Sequence, residues 1–379
     1  MKLRSSLKVV AIATTAALFA ATPALAGGIT ITGAGSTFAS PLIGACKTAW
    51  QNSSGNTVTY GGGGSGTGRS NADKGVGDFN FSDATYTPAK STILHIPVVA
   101  APVAIAYNLS STKTLYLSPE TLANIFAGKI TMWNDPAIVA DNNGTSNVVV
   151  FKKDASGAVV KDKAGKPVVL KTMAVKRYYT LPAQKIKVIY RADGSGTTQN
   201  LVNMFIKKFP SVWTKASSST FTSVFPGNIN DVANLGRFQS ASGSAGVTAL
   251  AAKTKYSITY VESSFASAQK LGLAAIKNAA GNYQGPDAGG TAAFLNAGTV
   301  AADGKMTFNY ETTDPAAYIL GIVSYALVDT ASKNADVVKS FLTSLLDAKC
   351  ANTDPSLQYS TITGALLAAD QALIAKIKG

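Results

Sequence analysis

Ile189-Tyr190-Arg191-Ala192-Asp193-Gly194-Ser195-Gly196-Thr197-Thr198 carries the chain out of an apolar strand and into a helical pattern. Leu201, Val202, Phe205 and Phe209 follow at i, i+1, i+4 and i+8, one face of a helix that begins at about Thr198. The free N–H groups and positive dipole end of such a helix favour an anion at its start. Gly194 and Gly196 let the backbone come close to a ligand, and Arg191 offers a forked donor suited to oxyanions. No G-x-x-x-x-G-K-[ST] pattern occurs here, which weakens a nucleotide-hydrolysing reading.

Two earlier stretches repeat the strand-to-helix design. Gly33-Ala34-Gly35-Ser36-Thr37-Phe38-Ala39-Ser40-Pro41 follows an extended Thr30 to Thr32, with Ser40-Pro41 predicting an N-cap and a first-turn proline. Gly61-Gly62-Gly63-Gly64-Ser65-Gly66-Thr67-Gly68-Arg69 follows an extended Val58 to Tyr60. The second formally contains G-x-G-x-x-G, but a run of glycines meets that pattern by composition, and no well-placed acidic strand end supports a dinucleotide site. A fourth stretch, Phe79-Asn80-Phe81-Ser82-Asp83-Ala84, ends an apolar strand on a carboxylate. Each alone is weak evidence, since a single such stretch is most often only a turn. A carboxylate beside a bound anion is repulsive unless the ligand brings a proton to donate, so Asp83 would select a protonated oxyanion over sulfate.

Short strands alternate with helices through most of the chain, including Val98 to Tyr107 extended and Ser118-Pro119-Glu120 capping a helix through Leu122, Ile125 and Phe126. Val337 to Leu346 and Leu366 to Ile377 also read as helical. The class is therefore α/β with mostly parallel sheets. Val148 to Gly157 and Lys161 to Lys171 break the rhythm and read as exposed basic hairpins, serving as solvated decoration or as a docking surface.

At the start, Met1 to Arg4 and Lys8 precede an apolar run from Val9 to Ala21 and the small-residue site Ala24-Leu25-Ala26, the parts of a secretory leader over residues 1–26. The chain carries a formal +14, and removing Lys2, Arg4 and Lys8 with the leader leaves +11, a balance that gathers anions or contacts acidic surfaces. Cys46 and Cys350 predict one disulfide in an oxidising compartment, two buried thiols being the alternative. The single histidine, His95, lies in an apolar run, which argues against a Ser/His/Asp triad or a His-rich metal site. No metal and no cofactor is expected.

In their order these segments resemble the substrate-binding proteins of phosphate ABC transporters, the PstS family of type II periplasmic binding proteins. Thr32 to Phe38, Tyr60 to Gly66, Phe81 to Ala84 and Arg191 to Thr197 look like that family's ligand segments. Leu122 to Trp133 is similar to its L-x-x-I-F-x-G-K-I-x-x-W helix, and Ser257 to Glu262 to its G-x-I-G-Y-V-E strand. The resemblance implies a two-lobed periplasmic-binding-protein-like fold, each lobe a mixed, mostly parallel sheet flanked by helices. Lobe I would hold 27–100 and 258–379, and lobe II 101–257 with a basic hairpin insertion at about 144–180. The crossing strands would lie near 98–108 and 250–262.

Carried over residue by residue, the resemblance implies that Thr37, Phe38 and Ser65 supply amides and hydroxyls and that Asp83 accepts the phosphate proton. Arg191, oriented by Asp193, would pair with an oxygen, while Ser195, Gly196 and Thr197 complete a cage supported by Ser36 and Gly194. It also implies a periplasmic, non-enzymatic, monomeric receptor that hands phosphate to a membrane permease and takes no nucleic acid. Competing readings are a secreted anion-binding or surface-interaction protein without a transport role, and an exported phosphatase. Three departures stand out: Gly66 where the family often has a second small polar residue, the long 144–180 stretch, and Tyr256-Ser257-Ile258-Thr259 in place of G-x-I-G.

Overall fold

The computed structural model describes residues 28–154, 160, 162–163 and 168–378. The leader expected at 1–26 and the lysines at 161 and 166 lie outside these residues. Eight strands carry the frame: β1 (Thr30–Gly35), β2 (Thr57–Gly63), β3 (Phe79–Ser82), β4 (Ile93–Tyr107), β5 (Lys187–Arg191), β6 (Phe238–Ala241), β7 (Ser257–Glu262) and β8 (Gly321–Asp329). They form one sheet in the order β2-β1-β3-β8-β4-β7-β5-β6, with Gly272–Leu273 added beside β4.

β4 explains why this is a two-lobed mixed α/β fold. Its first part pairs antiparallel with β8, from Ile93 opposite Asp329 to Pro102 opposite Gly321, and its last five residues pair antiparallel with β7. One strand thus serves both lobes, and all of it except Leu94 is buried. That burial accounts for the uninterrupted apolar run, since a strand covered on both faces has no reason to alternate. Within this sheet the parallel pairs are the outer ones, β2-β1-β3 on one side and β7-β5-β6 on the other.

Helices leave the carboxyl ends of these parallel strands, where open α/β sheets form their ligand crevices. Helix α1 (Ser40–Ser54) follows β1, α2 (Ser65–Lys74) follows β2, α3 (Gly196–Lys208) follows β5 and α4 (Gly243–Lys253) follows β6. The expected cap at Ser40 is wrong: Ala39 is the N-cap and Ser40 is already helical. Ser36 Oγ takes the Ala39 N–H at 3.2 Å, so the side chain that would cap sits one turn earlier, and Ser40 Oγ donates back to the Ser36 carbonyl. Helix α3 begins at Gly196, two residues before the sequence estimate, because Ser195 Oγ accepts from the Thr198 N–H at 3.1 Å. Ser118 caps Pro119–Phe126 as expected, accepting from Thr121 N–H at 3.2 Å.

Cys46 on α1 is joined to Cys350 on the short helix Ala348–Ala351, with Cα atoms 5.3 Å apart across 304 residues of chain. Closing so long a loop restricts the unfolded chain, an effect worth about 2–5 kcal/mol when such a bridge is removed. Gly144–Phe151 and Val169–Arg177 form a separate antiparallel pair, so the basic stretch is a hairpin, with Lys171, Met173 and Lys176 exposed. Tyr256, where the resembled family has glycine, adopts a left-handed φ of 65°. Its carbonyl accepts from Trp133 Nε1 at 3.0 Å, one contact that holds this conformation. No helix among the described residues is long and apolar enough to cross a membrane.

Candidate functional site

Asp83 stands at the end of β3, fully buried in the cleft between the lobes. Its Oδ1 accepts from Ser36 Oγ and, at 2.7 Å, from Ser324 Oγ; its Oδ2 accepts from Ser65 Oγ at 3.2 Å and Thr197 Oγ1 at 3.4 Å. Ser65 Oγ also accepts the Asp83 N–H at 3.0 Å. Four hydroxyls, from the turn after β1 and from α2, α3 and β8, therefore converge on one carboxylate. Burial raises the pKa of Asp83, opposed by the hydroxyls of Ser36, Ser324 and Ser65 and by the charge of Arg191. The group is poised to hold or accept a proton because desolvation penalises its charged form.

Arg191, at the end of β5, is almost wholly buried and faces the same cleft. Its Nε and one terminal nitrogen donate to the two oxygens of Asp193 at 2.7 and 2.5 Å, a fork-on-fork pair. Burial alone would lower the guanidinium, but the bonds and charge of Asp193 outweigh it and hold Arg191 above its ordinary value. Burial would conversely raise Asp193, yet Arg191 and the Gly243 N–H keep it low. That N–H, at the first residue of α4, reaches Asp193 Oδ1 at 2.9 Å. The lobe II wall thus presents a fixed cation whose partner is already satisfied.

The glycines let the two sides touch. Gly66 N–H donates to the Gly194 carbonyl at 2.7 Å, and a Cβ at Gly66 would lie 3.2 Å from Gly194 Cα. A hydroxyl-bearing residue at 66 would crowd this contact, a physical reason for the departure noted in the sequence. A Cβ at Gly196 would fall 2.6 Å from Ser65 Oγ and 2.7 Å from Asp83 Cβ. Gly196 and Thr197 also stand in the first turn of α3, where N–H groups have no intrahelical acceptor. Beside these contacts lies a cavity of about 360 Å³ lined by residues including Thr37, Asp193 and Ser244.

The structure brings Ser36, Ser65, Asp83, Gly196 and Thr197 into direct contact and Arg191, Asp193 and Gly194 to the opposing wall. Thr37 lies at the cleft too, its Oγ1 2.9 Å from Ser244 Oγ of the other lobe. Phe38 differs: its side chain is buried edge-on to Tyr359, so only its backbone is left to face the cleft. Ser195 spends its Oγ lone pair on the helix cap and its N–H on the Ser219 carbonyl at 2.9 Å.

Sequence reasoning missed Ser324, the one serine in the interior of an apolar strand, and Asn200, whose Nδ2 donates to the Asp83 carbonyl at 2.5 Å and the Gly196 carbonyl at 3.0 Å. It also gave no role to Arg69, which reaches Gln199 Oε1 at 2.9 Å and whose pKa is lowered by burial against the raising effect of Asp83. His95 is a buried strand residue whose Nε2 lies 3.4 Å from the Tyr86 N–H; burial, aided by Lys305, lowers its pKa to about 4. Among the described residues no group of three or more His, Cys, Asp and Glu could hold a metal.

Residues 20–349 match the model of the PBP superfamily domain. The phosphate-binding protein PstS3 of Mycobacterium bovis is 30% identical over 312 residues, which cover 78% of this chain and 72% of the relative. The phosphate-binding protein PstS of Pasteurella multocida is 30% identical over 264 residues, 68% of this chain and 64% of that one. In fold the chain is similar to a high-affinity periplasmic phosphate-binding protein solved with phosphate, with a TM-score of 0.64 at 20% identity, over 91% of this chain and 93% of the other. The phosphate-binding protein from Stenotrophomonas maltophilia gives a TM-score of 0.59 at 18% identity, over 90% and 93%. With the superfamily model covering most of its length and PstS proteins among its curated relatives, this chain belongs to the PstS family of phosphate-binding proteins within the PBP superfamily.

Proposed function

We propose that this chain binds inorganic phosphate between its lobes and delivers it, in the closed form, to the permease of an ABC importer. The observation that carries the reading is Asp83: a buried carboxylate surrounded by neutral hydroxyls, across the cleft from the guanidinium of Arg191. Such a carboxylate suits an anion that brings its own proton. Hydrogen phosphate does so and sulfate, fully ionised, does not, so sulfate would leave two charges opposed in a desolvated site.

On binding, Ser65 and Thr197 turn their hydroxyls from Asp83 to the phosphate oxygens. The first-turn N–H groups of Gly196 and Thr197 and the amides of Thr37 and Phe38 add neutral donors, and Ser195 adds its hydroxyl. Arg191, steadied by Asp193, supplies the charge. Ligand contacts made from both walls favour the closed arrangement, and only that difference in affinity can shift the lobes. The names of the relatives support phosphate binding, and the leader-like residues 1–26 support export to a periplasm. We read the chain as a receptor and not an enzyme because the relatives are named as phosphate-binding proteins.

Calorimetric titration tests this. Phosphate should bind at micromolar concentration or below, with one site per chain and no comparable heat from sulfate. No phosphate binding, or sulfate binding of equal strength, would overturn the assignment.

A further inference from the structure

A second buried acid faces the cleft from the end of β7. Glu262 is 1% exposed; its Oε1 accepts from Ser244 Oγ at 3.1 Å, and its Oε2 has no hydrogen-bond partner among the described residues. Ser244, in the first turn of α4, is in turn 2.9 Å from Thr37 Oγ1, and its N–H donates to that same oxygen at 3.3 Å. A file of three side chains, Glu262–Ser244–Thr37, thus runs from the end of β7 through the first turn of α4 to a proposed phosphate ligand between β1 and α1.

A hydroxyl has one proton to give and two lone pairs. While Ser244 gives its proton to Glu262, it must accept from Thr37. Thr37 then has its proton directed away from the cleft and one lone pair occupied by the Ser244 N–H. What it offers the cleft is its other lone pair, an acceptor. When Glu262 carries a proton on Oε1, the file reverses. Glu262 donates to Ser244, Ser244 donates to Thr37, and the Thr37 proton is free to point at the anion.

We propose that Glu262 is a positioning residue that, through Ser244, sets whether Thr37 accepts from or donates to the bound phosphate. The inference rests on the phosphate reading. With Glu262 ionised, the site suits monobasic phosphate, one proton for Asp83 and one for Thr37. With Glu262 protonated, it suits dibasic phosphate, whose single proton goes to Asp83. The two closed states contain the same number of protons, so one site accommodates both ionic forms.

Other groups act on Glu262. Burial pushes it up to about 7, offset in part by the charge of Arg191 and reinforced by that of Asp83. Tyr359, whose hydroxyl donates to the Phe38 carbonyl, also senses its charge. The sign follows: above neutral pH free Glu262 is ionised and free phosphate is mostly dibasic, so closing the site requires a proton from solvent. Affinity therefore falls as pH rises, about tenfold per unit for one proton taken up.

Calorimetry of phosphate binding at about pH 8, in buffers of different ionisation enthalpy, reads this proton directly. The unaltered chain should take up close to one proton more than Glu262→Gln, whose amide donates permanently to Ser244 and whose affinity should stay nearly flat with pH. Ser244→Ala keeps the Glu262 charge but cuts the file, and should lose the uptake as well. If Ser244→Ala retains it, the bound anion acts on Glu262 through space and the relay is overturned. Equal uptake by all three proteins also overturns the relay while leaving phosphate binding intact. Failure of the unaltered chain to bind phosphate sinks the parent reading together with the relay. Thermal unfolding of each variant separates these outcomes from misfolding.

Discussion

The two walls of the cleft each hold an aspartate, and they hold it in opposite ways. On the lobe I side Asp83 is surrounded by hydroxyls and its pKa is raised by burial; on the lobe II side Asp193 is clasped by Arg191 and the Gly243 N–H and its pKa is lowered. A carboxylate paired with a guanidinium has nothing left to ask of a ligand, whereas one hydrogen-bonded by rotatable side-chain hydroxyls can exchange them for a ligand proton. In the proposed site the lobe II pair supplies charge and the lobe I acid supplies selectivity. Neither wall does both, so the proposed function draws on the two together.

Removing the lobe II cation should produce the largest effect. Arg191→Ala leaves Asp193 partly buried without its cation and takes the only buried cation from the proposed cage. Phosphate affinity should fall by at least about 2 kcal/mol, roughly 30-fold in Kd, measured by calorimetry. A change under threefold would show that the pair does not face the anion. Gly196→Ala tests the contact between the walls. Its Cβ would overlap Ser65 Oγ and Asp83, so the lobes must stop short of the present geometry, and affinity should fall roughly tenfold, in line with an overpacking cost of about 1–3 kcal/mol. Small-angle scattering with saturating phosphate should show a more open particle than the unaltered chain, and equal closure would contradict the contact.

Much of this was legible before the structure because the chemistry is local. Gly194 to Thr198 and Ser36 to Ser40 announce helix starts through residue types that only helix starts and turns favour, and β4 announces itself through an apolar run too long for an ordinary half-exposed strand. The hidden parts depend on register. Ser324 reaches Asp83 across 241 residues because β8 pairs antiparallel with β3, Tyr325 opposite Ser82. Nothing in Gly321 to Asp329 read alone distinguishes that hydroxyl from one satisfied within its own strand. Glu262 was visible only as the end of a recognisable strand, since its link to Thr37 exists only when α4 of one lobe meets β1–α1 of the other. At Ser40 a correct local rule lost to a competing side chain, Ser36, already in place to cap.

The contrast between the walls is tested most directly by the ratio of phosphate to sulfate affinity in the unaltered chain and in Asp83→Asn, titrated side by side. An asparagine puts an amide donor where the carboxylate stood, so phosphate should weaken and sulfate should gain, narrowing the ratio by at least about tenfold, or 1.4 kcal/mol. A ratio unchanged by the substitution would mean that Asp83 does not read the proton of the bound anion, and that selectivity does not reside in the lobe I wall.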